Sequence, residues 1–365
     1  MASKAKKSET NTASPRRRLE QLIGNPDCST NTASALLQIP LSVIAKARGA
    51  EAGPGQSPFA FEQGILFERR ILATRKKDGL IPLQVELQKH GLLTEGRDYE
   101  QIDFRTNGYE RSFDDSRAFL DRLKEESNKG LQFLGSGFRF IADEIPPGGG
   151  DVEIDLILLS YSESDKKWIL RIGEIKTYPD RAGLTDPMQL ATARAQAGLY
   201  RRLFMSWLGR IKLNSIIDID EKGFLVFMNV RSAWPSVLPN ESLLEQDERA
   251  DKAVALFNQK YNSEEWSQWR EANVTSEERL NQLVNHATTH YTQGCWGFCP
   301  VVTVCFGKLI AADDPLILGS ETKEILGDRT IEYVQKLISG EIEPTPADAE
   351  ILEKLADAKF DRVIG

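Results

Sequence analysis

Three cysteines, Cys295, Cys299 and Cys305, crowd into GCWGFCPVVTVCFG, and the only other one, Cys28, stands far upstream. Thiolates at such short spacing suit a metal ion or an iron-sulfur cluster, because three ligands can converge from one loop while a distant fourth clips two parts of the chain together. A second chemical group lies between them. Asp155 in DVEIDLILLSY and Glu174-Ile175-Lys176 in KKWILRIGEIKTY occupy two β-rich segments joined by the turn-like SESDKK. With the turn centred between Ser164 and Asp165, Asp155 and Glu174 oppose each other across an antiparallel ladder, with Cβ atoms about 5 Å apart. Period-two alternation puts Lys176 on the same face. Opposed like charges need a compensating cation, and hard oxygen donors, helped by the Ile175 carbonyl, favour Mg²⁺ or Mn²⁺. Lys176 beside such an ion would hold a water or stabilise charge developing on a phosphate.

The scaffold for these groups reads as α/β. LQFLGSGFRFI, DVEIDLILLSY, KKWILRIGEIKTY and GFLVFMNV are strand-like, and PPGGG separates the first two. Residues from about Ser29 to Leu123 read as mainly helical, with loops at Gly53–Pro58 and around Gly108, and helical spacing of Phe61, Ile65, Leu66 and Leu72. DPMQLATARAQAGLYRRLFMSWLGR predicts a long helix opened by Asp-Pro, and helices return after about Leu243. The expected organisation is a flexible basic tail over 1–20, a helical region with the first cysteine over 21–125, a sheet core over 126–235, a helical region ending in the cysteine motif over 236–310, and a helical extension over 311–365.

Composition limits the alternatives. The 365 residues are 41% hydrophobic and 27% charged, as in ordinary globular chains. No apolar run is long enough for a membrane span, and no charged-then-apolar leader is present, so a cytoplasmic protein is expected. A reducing compartment disfavours disulfides and again favours ligation by the thiols. The net charge of -8 is an odd balance for a protein that only coats nucleic acid, though an enzyme can concentrate acid groups in its site. The first 18 residues carry six basic side chains against Glu9 and read as a solvated tail.

Asp155 followed by Glu174-Ile175-Lys176 resembles the PD-(D/E)xK nuclease signature, with EIDL in place of the literal PD pair. Gln196 and Tyr200 in AQAGLY resemble the QxxxY motif of the RecB-like branch, and their i,i+4 spacing shares one helix face. Gly64-Ile65-Leu66-Phe67-Glu68 resembles the branch's first motif, but Phe67 stands where some relatives have a manganese-binding His. One cysteine before the nuclease core and three after it is the order in iron-sulfur members of the branch. Cys299 to Cys305 has their usual spacing, whereas Cys295 to Cys299 is one residue longer. The resemblance spans roughly Cys28 to Cys305. It implies a restriction-endonuclease-like mixed sheet flanked by helices, with terminal helical regions joined by a [4Fe-4S] cluster on Cys28, Cys295, Cys299 and Cys305. Spacing alone does not separate this cluster from zinc.

The resemblance further implies a Mg²⁺- or Mn²⁺-dependent deoxyribonuclease. Asp155, Glu174, the Ile175 carbonyl and Glu68 would serve the metal, Lys176 the attacking water, and Gln196 and Tyr200 the strand. Its partners would be DNA, single-stranded or at duplex ends, and a helicase or other repair or phage-defence subunit. Two other readings compete: a non-catalytic nucleic-acid-binding or assembly subunit that keeps the fold, and a zinc-stapled structural protein. Glu321-Thr322-Lys323 repeats the ExK pattern without a preceding acidic strand. His286 and His290, spaced i,i+4, lack the Glu of a zinc-protease motif and read as surface or packing residues, and His90 reads as exposed.

Overall fold

The computed structural model describes residues 14–50, 58–108, 111–126, 129–180, 185–232, 234–270, 276–292, 295 and 299–357. Most of the expected tail (1–13), the loop at 53–57 and part of the cysteine motif (294 and 296–298) lie outside them. The chain divides into a sheet unit, residues 14–19 and 57–263, and a helical unit, residues 20–56 and 264–365.

In the sheet unit, apolar β-rich segments build strands β1 (Tyr99–Asp103), β2 (Gln132–Ile141), β3 (Asp151–Ser162), β4 (Lys167–Asp180), β5 (Ile217–Ile219), β6 (Lys222–Asn229) and β7 (Pro235–Ser242). They form one mixed sheet in the order β1-β2-β3-β4-β6-β7, with β5 also paired to β4. The β3–β4 hairpin runs from Ser162 opposite Lys167 to Leu156 opposite Gly173. This is the register expected for a turn centred between Ser164 and Asp165. Beyond Gly173, β4 pairs in parallel with β6, Glu174 opposite Leu225 and Lys176 opposite Phe227, and the register shifts between Lys176 and Pro179.

Helices α4 (Pro58–Leu72), α5 (Pro82–Lys89), α6 (Ser112–Glu125), α7 (Pro187–Arg210) and α8 (Leu244–Tyr261) flank this sheet. Phe67 and Ile71 of α4 and Leu83 and Leu87 of α5 pack with Leu134, Leu156, Leu158, Phe224 and Val226 in one buried cluster. A second, aromatic set joins α6 and α7 to β2: Phe119 lies 5.2 Å from Phe133, and Phe138 and Phe140 lie 5.3 and 5.2 Å from Phe204. Each fully buried side chain of this size contributes roughly 1.5–3 kcal/mol through apolar burial. These contacts explain why α4 to α6 belong with the sheet rather than with the first cysteine, as the expected 21–125 region had it. Two glycines are required near the chemistry. Gly137 holds φ +66° and leaves room for the Arg105 side chain, while a Cβ on Gly173 would strike the Phe224 ring.

The helical unit contains α2 (Ser29–Leu37), α3 (Leu41–Ala47), α9 (Glu264–Arg270), α10 (Glu277–His286), α11 (Val302–Ala311), α12 (Ser320–Leu326), α13 (Ile331–Ile338) and α14 (Pro346–Asp357). Leu41, Tyr291, Val301 and Val302 pack around the cysteines, and Leu326, Val334 and Ile351 form a smaller cluster. Helix α1 (Pro15–Gly24) contributes its first half to the sheet unit and its second half to the helical unit. It begins inside the stretch expected to be a tail. Pro15 suits a first helical position, and Arg18, Leu19 and Leu22 are fully buried. Among the described residues, no helix is long and apolar enough to cross a membrane.

Candidate functional site

Asp155, Glu174 and Lys176 come together at the end of the β3–β4 ladder. Past the last paired residues, the Asp155 carboxylate replaces a backbone partner: Ile175 N–H donates to its Oδ2 at 3.0 Å. Glu174 is 1% exposed, and Lys176 Nζ lies 2.5 Å from its Oε1. That contact is a close ion pair, and the other Glu174 oxygen, Oε2, is buried with no hydrogen-bond partner. Burial, reinforced by the Asp155 charge, pushes the Glu174 carboxyl up to about 8. Burial alone would lower Lys176, but the Glu174 and Asp155 carboxylates hold its ammonium above the usual value. The result is a buried acid group that is short of positive charge.

Around this centre stand residues from four other elements. Glu68, on α4, is held by Arg105, whose Nη2 lies 2.5 Å from its Oε1. Arg105 also donates to Asp103 at 3.1 Å and lies 3.6 Å from Glu153 Oε1. Burial raises both Glu68 and Glu153, Arg105 opposes this, and Asp155 adds to it, so all three carboxylates share one field. Phe67 is buried in the α4 cluster, so the position that departs from the His-containing motif serves the core. On α7, Gln196 Oε1 is buried without a partner and Tyr200 is 3% exposed. The Arg16 guanidinium lies 5.5 Å from the Tyr200 ring centroid, and its charge acts on both Glu174 and Lys176. Arg16, Arg105 and Glu153 were missing from the sequence reading. Glu153 lies two residues before Asp155 and could have been found by strand alternation.

The four cysteines, all buried and none in a disulfide, line one small cavity of about 10 Å³. Cys28 occupies the position just before α2, without a side-chain capping bond. A protein network holds the distant pieces together. Thr30 N–H donates to the Thr288 carbonyl at 3.0 Å, Arg48 donates to Val284 at 2.9 Å and to Ala287, and Asn25 Nδ2 donates to the His290 carbonyl at 2.7 Å. Asn25 also donates to Cys295 Sγ at 3.3 Å, and Thr292 Oγ1 lies 3.4 Å from the same sulfur. Burial pushes the Cys299 thiol up to about 12 and raises Cys305 as well. His290 lines the cavity on a non-helical segment, because α10 ends at His286, which packs against Trp266 and Trp269. Glu321-Thr322-Lys323 falls in α12, not on a strand.

Among the described residues, no group of three or more His, Cys, Asp or Glu side chains is arranged to hold a metal ion as they stand. The donor chemistry nevertheless fits cations at both places. Mg²⁺ commonly takes only one or two protein carboxylates and keeps its waters, and Glu174 offers an unpartnered Oε2 beside Asp155. At the cysteines, the Cys299 thiol donates to Asn31 Oδ1 at 3.9 Å, while Asn31 Nδ2 is buried without a partner. Exchanging the amide's O and N would turn that donor onto a Cys299 thiolate. No protein-family profile, curated protein or solved structure matches the chain.

Proposed function

We propose that the chain is a metal-dependent deoxyribonuclease of the RecB-like PD-(D/E)xK kind that hydrolyses phosphodiester bonds. The observation that carries this reading is Glu174, a carboxylate 1% exposed whose Oε1 pairs with Lys176 and whose Oε2 has no hydrogen-bond partner, beside Asp155. Two carboxylates that share one lysine in a buried place are favoured as anions by a further cation. Asp155 and Glu174, with the Ile175 carbonyl, would hold Mg²⁺ or Mn²⁺, which when bound supplies charge neutralisation and an acidified water. Lys176, kept charged by its two carboxylate neighbours, orients the attacking water and donates to the phosphate as negative charge develops. The Gln196 amide and Tyr200 position the strand from one face of α7. Water attacks in line at phosphorus, the opposite P–O bond breaks, and the departing oxygen takes up a proton. Glu68 acts through Arg105 and Asp155 as a support of this charge field.

In the same reading, Cys28, Cys295, Cys299 and Cys305 hold a [4Fe-4S] cluster with a structural role in the cytoplasm. DNA, single-stranded or at duplex ends, is the substrate, and a helicase or another repair or phage-defence subunit is the partner. Asp155→Ala and Lys176→Ala should each abolish Mg²⁺-dependent cleavage across single- and double-stranded DNA and RNA while leaving the circular dichroism spectrum intact. Undiminished cutting by both variants would remove the assignment. The engagement of Glu68 by Arg105 and the Phe at position 67 favour a second reading, a non-cleaving nucleic-acid-binding subunit. Binding retained without cleavage of any of these substrates would support it.

A further inference from the structure

The first turn of α1 is fixed on the sheet unit. A Cβ on Gly150 would come within 2.9 Å of the Pro15 ring. Arg18 is fully buried, donates to the Pro146 carbonyl and lies 5.0 Å over the Phe257 ring, and burial lowers it to about 10. Burying a guanidinium is costly, so its placement marks this turn as a fitted part of the fold. One residue away, Arg17 is exposed. Arg16 lies between these extremes, half-buried, with its guanidinium 5.5 Å from the Tyr200 ring centroid.

Its surroundings specify an anion. With the more exposed Asp103 set aside, Asp155, Glu174, Glu68 and Glu153 against Lys176, Arg105 and Arg16 leave one negative charge in excess, and a bound divalent cation turns this into one positive charge. A phosphodiester carries one negative charge, which that surplus matches. Guanidinium is also suited to phosphate, because its planar donors pair with two oxygens at once, and it can remain stacked on an aromatic ring while doing so.

We propose that Arg16 holds a phosphate group of the nucleic-acid strand at this site, with the Tyr200 ring as its platform. The inference rests on the nuclease reading and assigns that site a phosphate-binding residue from the chain's basic N-terminal segment.

The test uses the full chain carrying Asp155→Asn, to prevent cleavage, and a fluorescein-labelled single-stranded DNA followed by anisotropy at several salt concentrations. Adding Arg16→Ala should weaken binding about tenfold. It should also reduce the slope of log affinity against log salt by about 0.7, the value for one phosphate of a single strand. Arg16→Lys should keep the slope but regain only part of the affinity, because an ammonium lacks the planar fork. Arg17→Ala should leave affinity nearly unchanged. In the catalytically competent chain, Arg16→Ala should raise KM much more than it lowers kcat. Unchanged affinity in Arg16→Ala, or an equal loss in Arg17→Ala, would overturn the inference while wild-type cleavage still upheld the nuclease reading. A wild-type chain that neither binds nor cuts nucleic acid would overturn both.

Discussion

The carboxylate site and the cysteine cavity are both buried polar clusters, yet the folded chain satisfies them very differently. Around the thiols, Asn25, Thr30, Thr292 and Arg48 already form a hydrogen-bond network that brings Cys28 to the later cysteines. At the carboxylates, strand register brings Asp155 and Glu174 together, and beside the Lys176 ion pair Glu174 keeps an unpartnered Oε2. Buried polar groups left in this way destabilise the fold by about 1–3 kcal/mol each, more when charged. One site is thus held together by hydrogen bonds between distant segments, whereas the other keeps more carboxylates than cations. The first arrangement suits a structural clasp and the second suits chemistry.

The contrast predicts that the two sites can be broken separately. Cys299→Ala should deplete iron and sulfide in anaerobically purified protein and lower stability by about 2–5 kcal/mol, by analogy with loss of a cross-link. The folded fraction should still cut DNA. Stoichiometric zinc in the wild-type protein would replace the cluster with a zinc staple but keep the division of labour.

The pH windows should differ too. The Glu174 carboxyl is raised from 4.5 to about 8, so the metal-free folded state binds more protons than the unfolded chain between those values. That contribution to stability is fully present below pH 4.5 and is lost as pH rises to about 8. Glu174→Gln should flatten thermal melting temperature across this range. The Cys299 thiol, raised to about 12, gives the metal-free cavity its corresponding loss only in strongly alkaline solution.

Smaller effects come from the supports. Gly137→Ala combines a positive φ with a collision against Arg105, and should cost about 1–3 kcal/mol in a denaturant melt. Asn25→Ala removes donors to His290 and Cys295, and should cost about 1–2 kcal/mol. It should leave cleavage unchanged, and a loss of activity there would blur the contrast.

The hairpin register was legible in the sequence, because a short polar turn between two apolar segments has few ways to close and register follows from its centre. The cysteine grouping was legible for the same local reason. Three strands were not. YEQID is short, polar and only half-buried, IDI is three residues long, and PSVLPNES carries two prolines that read as loop signals. Arg16 was hidden more deeply. A run of Arg after Pro15 resembles a solvated tail until Arg18 meets Pro146 and Phe257, residues far along the chain. The Arg105 network likewise depends on the backbone conformation of Gly137, which no local pattern announces.

The central claim is that Glu174 must carry a negative charge to a cation for phosphodiester hydrolysis. Mn²⁺-dependent cleavage of labelled single-stranded and duplex DNA by wild-type protein and Glu174→Gln, side by side at pH 8, tests it most directly. The amide preserves shape and removes the charge, and the rate should fall by at least about a hundredfold to a thousandfold while the fold is unchanged. Equal rates for the two proteins would contradict the account.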